Sequence, residues 1–261
     1  MNGRRTATLA GCVLVTLLSA ACSGSSSGPG DTPNRNSITG TINVFAAASL
    51  TEAFTTLGKR FASAHPGVKV VFNFGPSSGL AEQIGQGAPA DVFASASAET
   101  MDQLVAAGDA TSSTPFVKNL MEVAVPSSNP AHVSSLYDLD NSGVKVALCQ
   151  ADVPCGATAA EVFANAKLSV KAVTEEVDVK SVLSKVELGE VDAGVVYVTD
   201  VKAAGSKAKG VVIPADVNAS TTYPIATVTE APNSATAQAF VSYVLSSAGL
   251  SVLTTAGFER P

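Results

Sequence analysis

Residues 42–54 read INVFAAASLTEAF. Ile42 to Ala46 is an apolar run of strand length, and the chain then passes through small side chains. Leu50, Phe54, Leu57 and Phe61 recur at helical spacing, so a helix is predicted from Ser49, with Glu52 completing a capping box. Small residues at a strand-to-helix turn let a ligand approach the backbone. The helix start offers free N–H groups, a hydroxyl and the positive end of a dipole, which suits an anion. Such a turn is common in α/β proteins. A second one at Gly75-Pro76-Ser77-Ser78-Gly79, again rich in hydroxyls and poor in charge, makes it a pattern.

Outward from these turns, apolar strand-length runs alternate with helical patterns. Strands are predicted at 68–74, 91–94, 120–125, 144–148, 193–198, 211–214 and 225–229. Helices are predicted at 80–86, 98–107, 157–166, 178–188, 235–245 and 249–255, the clearest having Asp178 as cap and Val179, Val182, Leu183 and Val186 as its apolar stripe. Alternation of this kind argues for α/β layers on mostly parallel sheets, where ligands sit beyond the carboxyl ends of strands.

The first 21 residues read as a secretory signal: Arg4 and Arg5, an apolar run from Gly11 to Leu18, then Ser19-Ala20-Ala21-Cys22. The Cys after small residues resembles a bacterial lipobox, although Ser19 stands where a larger apolar residue is usual. Cys22 is therefore expected to carry lipid, with 22–40 as a flexible Ser/Gly-rich tether; an ordinary cleaved signal is the alternative. Lys and Arg number 16 against 22 Asp and Glu, and losing Arg4 and Arg5 would leave the rest more acidic still. No basic surplus exists for nucleic acid, and no polybasic cluster for an anionic membrane.

Three further motifs carry a resemblance. Phe45-Ala46-Ala47-Ala48-Ser49-Leu50, then Gly87-Ala88-Pro89-Ala90-Asp91-Val92-Phe93, then Gly194-Val195-Val196-Tyr197 look like those of the extracytoplasmic molybdate-binding proteins of ABC importers, in order and spacing, over about 41–258. The resemblance implies a two-lobed periplasmic-binding-protein fold of type II. That fold has two mixed, mainly parallel sheets flanked by helices, with the ligand cleft between the lobes. Lobe 1 would comprise 41–118 and 226–261, and lobe 2 would comprise 119–225. The chain would leave the first lobe near Leu120 to Val125 and return near Tyr223 to Val228.

The resemblance also implies five ligand contacts. Ser49 and Ser77 would donate hydroxyls, with Ser78 the neighbour most easily confused with Ser77. Cys155, in Val153-Pro154-Cys155-Gly156, and Val179 would donate backbone N–H groups, and Tyr197 its phenolic O–H. Each has a bland alternative as cap, core residue or packed aromatic. All five are neutral donors, as a fully deprotonated dianion such as molybdate requires; tungstate should bind comparably. Molybdenum would enter only as the bound oxyanion, with no direct protein ligand and no cofactor. The resemblance further implies a monomer, exported and lipid-anchored at the cell membrane, that delivers its ligand to a permease with its ATPase subunit. Another tetrahedral oxyanion, such as sulfate, is the alternative. Phosphate keeps a proton and would want an acceptor, for which Asp152 is a candidate outside the family's pattern.

Where the family commonly has Gly-Asp-Pro and an Ala, this chain has Leu148-Cys149-Gln150 and Cys155, which suggests a Cys149–Cys155 disulfide; two free thiols are the alternative. An enzyme reading competes, because Gly75 to Gly79 formally satisfies the G-x-S-x-G pattern of serine hydrolases, with Ser77 as nucleophile. The only histidines are His65, before that serine, and His132, in a Pro/Ser-rich connection, whereas a hydrolase histidine would be expected late in the chain. Sugar receptors want aromatic platforms and amino-acid receptors usually want an Arg, and neither pattern has support here.

Overall fold

The computed structural model describes residues 38–261. The signal segment, Cys22 and most of the tether lie outside the described residues. At the tether's end, Ile38 packs on the core, and the Thr39 carbonyl accepts from Asn233 Nδ2 at 2.6 Å and Thr236 Oγ1 at 3.0 Å. The last residues assigned to the tether are thus held by the fold.

Strand β1 (Gly40–Ala47) has parallel neighbours on both sides, β2 (Val68–Gly75) and β3 (Val92–Ala94). Helices α1 (Thr51–Ala64), α2 (Ser77–Gly85) and α3 (Ala98–Ala106) follow these strands in turn. The α1 stripe is buried as its spacing requires. Phe54 and Phe61 meet Phe240 of α7 (Ser234–Leu245) edge-on, with ring centroids 6.2 and 5.3 Å apart. Full burial of each such ring is worth roughly 1.5–3 kcal/mol.

Strand β4 (Thr114–Pro126) starts earlier than predicted and serves two sheets. From Thr114 to Leu120 it pairs antiparallel with the strand at Ser220–Thr227; from Met121 onward it pairs antiparallel with those at Ala193–Tyr197 and Ala208–Val212. In chain order the remaining strands are β5 (Val146–Cys149), β6 (Ala172–Glu176), β7 (Ala193–Tyr197), β8 (Ala208–Val212) and β9 (Ser220–Thr227). The path runs β2-β1-β3-β9-β4-β7-β5-β6, with β8 beside β4. The parallel triplets at its two ends are therefore joined through antiparallel crossing strands. Helices α4 (Pro154–Ala166), α5 (Val179–Glu187), α6 (Val198–Ala204) and α8 (Ser247–Ala256) complete the layers. Strand β6 and helix α6 were not expected from the sequence.

The apolar core changes partners along β4 and at the start of β9. Val117 and Tyr223 pack with Ile42, Phe54 and Phe240, whereas Met121 and Ala219 pack with Val146, Val182 and Val195. The molecule is a two-lobed mixed α/β fold. Two of the sequence motifs hold this frame. Buried Asp91 accepts the Asn43 and Asn233 N–H groups, each at 2.7 Å, tying β1 to the segment before α7. At Gly194 a Cβ would stand 2.6 Å from Val182 Cγ1, so its absence lets α5 lie close on β7.

Candidate oxyanion site

A small cavity of about 20 Å³ is walled by residues of both lobes: Ala47–Ser49, Gly75–Ser77, Ala96, Val153–Cys155, Asp178–Val179 and Tyr197. All five residues expected to contact ligand line it. Ser78 does not, which separates it from Ser77.

The helix starts explain the convergence. Ser49 lies in a 3₁₀ turn, Ala48–Leu50, ahead of α1, and it is buried. The expected capping box is absent: α1 starts at Thr51, whose hydroxyl donates to the Ala48 carbonyl at 2.6 Å, and Glu52 forms an ion pair with Lys180 instead. The tight 3₁₀ turn takes Ser49 out of the cap position and leaves its Oγ 2.8 Å from the Tyr223 phenol oxygen. Ser77 is the first residue of α2, and its Oγ accepts the Ala96 N–H at 2.9 Å, so its own proton is left to donate.

Cys155 follows Pro154, the first residue of α4, which has no N–H. The Gly156 N–H bonds the Val153 carbonyl at 3.0 Å, so Cys155 carries the first-turn N–H with no intrahelical acceptor. Cys149 and Cys155 are bridged by a disulfide, with Cα atoms 5.8 Å apart. Beside it a Cβ on Gly156 would stand 1.9 Å from the Gln150 carbonyl oxygen, so the loop closes only over glycine. Val179 opens α5, after Asp178, whose carboxylate accepts the Ser181 N–H at 2.9 Å.

Tyr197 ends β7 and caps α6, whose Asp200 accepts the Tyr197 N–H at 3.1 Å. Its phenol oxygen is buried, with no hydrogen-bond partner among the described residues. Burial pushes the phenol's pKa well up, so it remains an O–H donor. Three further helices, α2, α4 and α5, begin at the pocket wall with the turn before α1, adding the field of several N-termini to these donors.

Several participants were missed in the sequence. Asn119 Nδ2 donates to Thr199 Oγ1 at 2.8 Å and lies 3.4 Å from the Tyr223 oxygen, which links both crossing strands to Ser49. The carboxylate on the wall is Asp178; Asp152 is exposed and does not line the pocket. The hydrolase reading fails on geometry. Neither His65, whose ring lies 4.5 Å from that of Phe61, nor His132 lines the pocket with Ser77, so no triad assembles. Among the described residues no cluster of His, Cys, Asp and Glu could hold a metal ion.

Fold and site define a class, a two-lobed binding protein that presents neutral donors in its cleft. The chain belongs to the bacterial extracellular solute-binding proteins, whose family pattern matches residues 42–259, and it is not an enzyme. It is 40% identical over 221 residues to the molybdate-binding protein ModA of Mycobacterium tuberculosis H37Rv, covering 84% of this chain and 85% of that one. It is 36% identical over 250 residues to the putative ABC transporter substrate-binding lipoprotein YvgL of Bacillus subtilis, covering 93% of each. Among solved structures it superimposes on the periplasmic molybdate-binding protein of Azotobacter vinelandii with TM-score 0.75 at 22% identity, covering 84% and 99% of the two chains. The sulfate-binding protein SubI of M. tuberculosis shares the fold, with TM-score 0.74 at 18% identity and coverage of 84% and 86%.

Proposed function

We propose that this protein captures molybdate, and tungstate with it, and hands the oxyanion to an ABC permease with its ATPase subunit. The observation that carries the reading is the meeting of Ser49, Ser77, Cys155, Val179 and Tyr197 at one small pocket with no Lys, Arg or His on its wall. Such a donor set suits a fully deprotonated dianion, the wall carboxylate of Asp178 being engaged by the Ser181 N–H, and charge-assisted hydrogen bonds are roughly twice as strong as neutral ones. A cavity volume of about 20 Å³ is far below the roughly 300–1,000 Å³ of drug-sized sites, which favours a small ion. The 40% identical relative is named a molybdate-binding protein, which favours molybdate over sulfate, an ion of the same charge and shape.

Lobe 1 is assigned to 41–118 and 226–261 and lobe 2 to 119–225, a division supported by the switch of core partners along β4. The Tyr223 side chain packs with lobe 1, which favours a return slightly earlier than 226. The protein works as a monomer held at the outer face of the cell membrane by lipid on Cys22, a reading supported by the lipoprotein named among its relatives. Cys22→Ala should then lose membrane retention in detergent partition.

Parallel calorimetric titrations test the ligand. Molybdate and tungstate should bind one to one, and sulfate and phosphate far more weakly. Equal or tighter sulfate binding would overturn the assignment. Phosphate belongs in the set because Asp178 puts a carboxylate on the wall.

A further inference from the structure

Lys180 stands one residue beyond Val179 but does not line the pocket. Its ammonium pairs with two carboxylates that likewise lie off the pocket wall. Nζ is 2.9 Å from both Oε1 and Oε2 of Glu52, and 3.0 Å from Oδ1 of Asp200. Glu52 is in the first turn of α1, whose Phe54 and Leu57 belong to the lobe 1 core. Lys180 and Asp200 sit on α5 and α6, whose Val182 and Ala204 belong to the lobe 2 core. One cation therefore bridges the lobes.

The three residues sit beside ligand-bearing positions. Glu52 lies three residues after Ser49, Lys180 follows Val179, and Asp200 accepts the Tyr197 N–H through its other oxygen. The bridge is graded in burial, with the Asp200 side chain 0% exposed, Lys180 23% and Glu52 52%. On the lobe 2 side a buried carboxylate fixes the cation, because a buried charge left unpaired is strongly unfavourable. On the lobe 1 side the pair meets solvent, where an ion pair is weak, reversible and screened by salt. A fixed anchor with a weak, separable partner is what a moving joint requires.

We propose that Lys180 is a positioning residue of the cleft: it clasps α1 to α6 through Glu52 and Asp200 and so sets how long the lobes stay closed on their ligand. The inference rests on the oxyanion reading for its ligand, although the clasp itself can be read without one. Glu52 and Lys180 touch no ligand in this scheme, so they act on release and not on the donor set.

The experiment uses stopped-flow molybdate binding with paired spin labels across the cleft, in the wild type, Glu52→Gln, Lys180→Met, Lys180→Arg and the Glu52→Gln/Lys180→Met double variant. Glu52→Gln keeps the buried Lys180–Asp200 pair, so it tests the clasp without threatening the fold. It should release molybdate about fivefold faster with little change in association rate. Salt should speed release more from the wild type than from Glu52→Gln. Because Lys180→Met strands a buried carboxylate and can unfold the chain, Lys180→Arg serves as the conservative rescue and should keep release slow. Where Lys180→Met folds, adding Glu52→Gln should change nothing further. Release from Glu52→Gln equal to wild type at low and high salt would overturn the clasp. If the wild type binds no molybdate, the oxyanion reading fails, and the label distances decide the clasp alone. A wider distribution in Glu52→Gln supports it, and an unchanged one overturns it.

Discussion

The Ser49 hydroxyl and the Tyr223 phenol meet at 2.8 Å across 174 residues of chain, joining the first ligand turn to crossing strand β9. Asn119 Nδ2, at 3.4 Å, can only donate to the Tyr223 oxygen, which favours sending the Tyr223 proton to Ser49. The Ser49 proton is then free for an anion. Tyr223→Phe should weaken molybdate binding by about 1 kcal/mol, and Ser49→Ala by about 1.5–3 kcal/mol, in calorimetric titration. Tighter binding in Tyr223→Phe would mean that Ser49 donates to Tyr223 instead, and unchanged affinity would mean that the contact does not orient the Ser49 proton.

Ser77 differs because it has two tasks. Its Oγ accepts the Ala96 N–H at 2.9 Å and would donate to the ligand. Ser77→Ala should cost about 1.5–3 kcal/mol in binding and, separately, about 1–3 kcal/mol in urea unfolding, since a buried N–H loses its acceptor. A loss of binding with stability intact would place the Ala96 N–H on another partner.

The Cys149–Cys155 bridge holds the turn that presents the Cys155 N–H. Cys149→Ser, or reduction, should speed ligand release by no more than about 1–2 kcal/mol, the size of one hydrogen bond made less well. The fold should survive, as each lobe has its own core. Two readily alkylated thiols in the native oxidised protein would remove the premise. Release unchanged on reduction would leave the bridge a stability device only.

Asp200 gives a pH signature. Burial raises its carboxyl from the usual 3.8 to about 6, against the pull of Lys180 and the Tyr197 N–H, with Glu52 adding to the rise. A carboxyl that holds its proton more tightly folded than unfolded costs stability while ionised, above about pH 6. That cost fades as pH falls towards about 4. Relative to Asp200→Asn, the wild type should therefore gain unfolding free energy on acidification through this window. A flat difference across it would show that Asp200 titrates at its ordinary value.

Asp91 should matter for stability alone. It accepts two backbone N–H groups at 2.7 Å and lies off the pocket wall. Asp91→Ala should cost about 2–4 kcal/mol in urea unfolding, because two half-buried N–H groups lose their acceptor, and should leave molybdate affinity unchanged in the folded fraction.

The legible parts of this molecule were local. Ser49, Ser77, Cys155, Val179 and Tyr197 each sit in a short motif at a strand or helix end, and those ends converge. Tyr223, Asn119 and Lys180 were hidden because their partners lie 174, 80 and 128 residues away, and no spacing rule reaches so far. Glu52 misled for a related reason: its position after Ser49 fits a local cap, but a distant cation took it. Strand β6, AVTEE, carries three polar residues and lacks an apolar face to signal it. Pro115 disguised the start of β4, where the register with β9 also shifts.

Two of the five proposed donors, at Cys155 and Val179, are peptide groups. A codon change there replaces a side chain and leaves the donating nitrogen where it was. The contact can thus outlast a change of residue type wherever the backbone keeps its path, although the disulfide at 155 and burial at 179 restrict which side chains fit. Position 155 illustrates the division of labour: its sulfur is committed to Cys149 while the residue lines the cleft at the start of α4. Mutational scans of binding should accordingly find Ser49, Ser77 and Tyr197 intolerant. At 155 and 179 only proline should remove the donor itself; other replacements should act indirectly, through the lost disulfide at 155 and the buried side chain at 179.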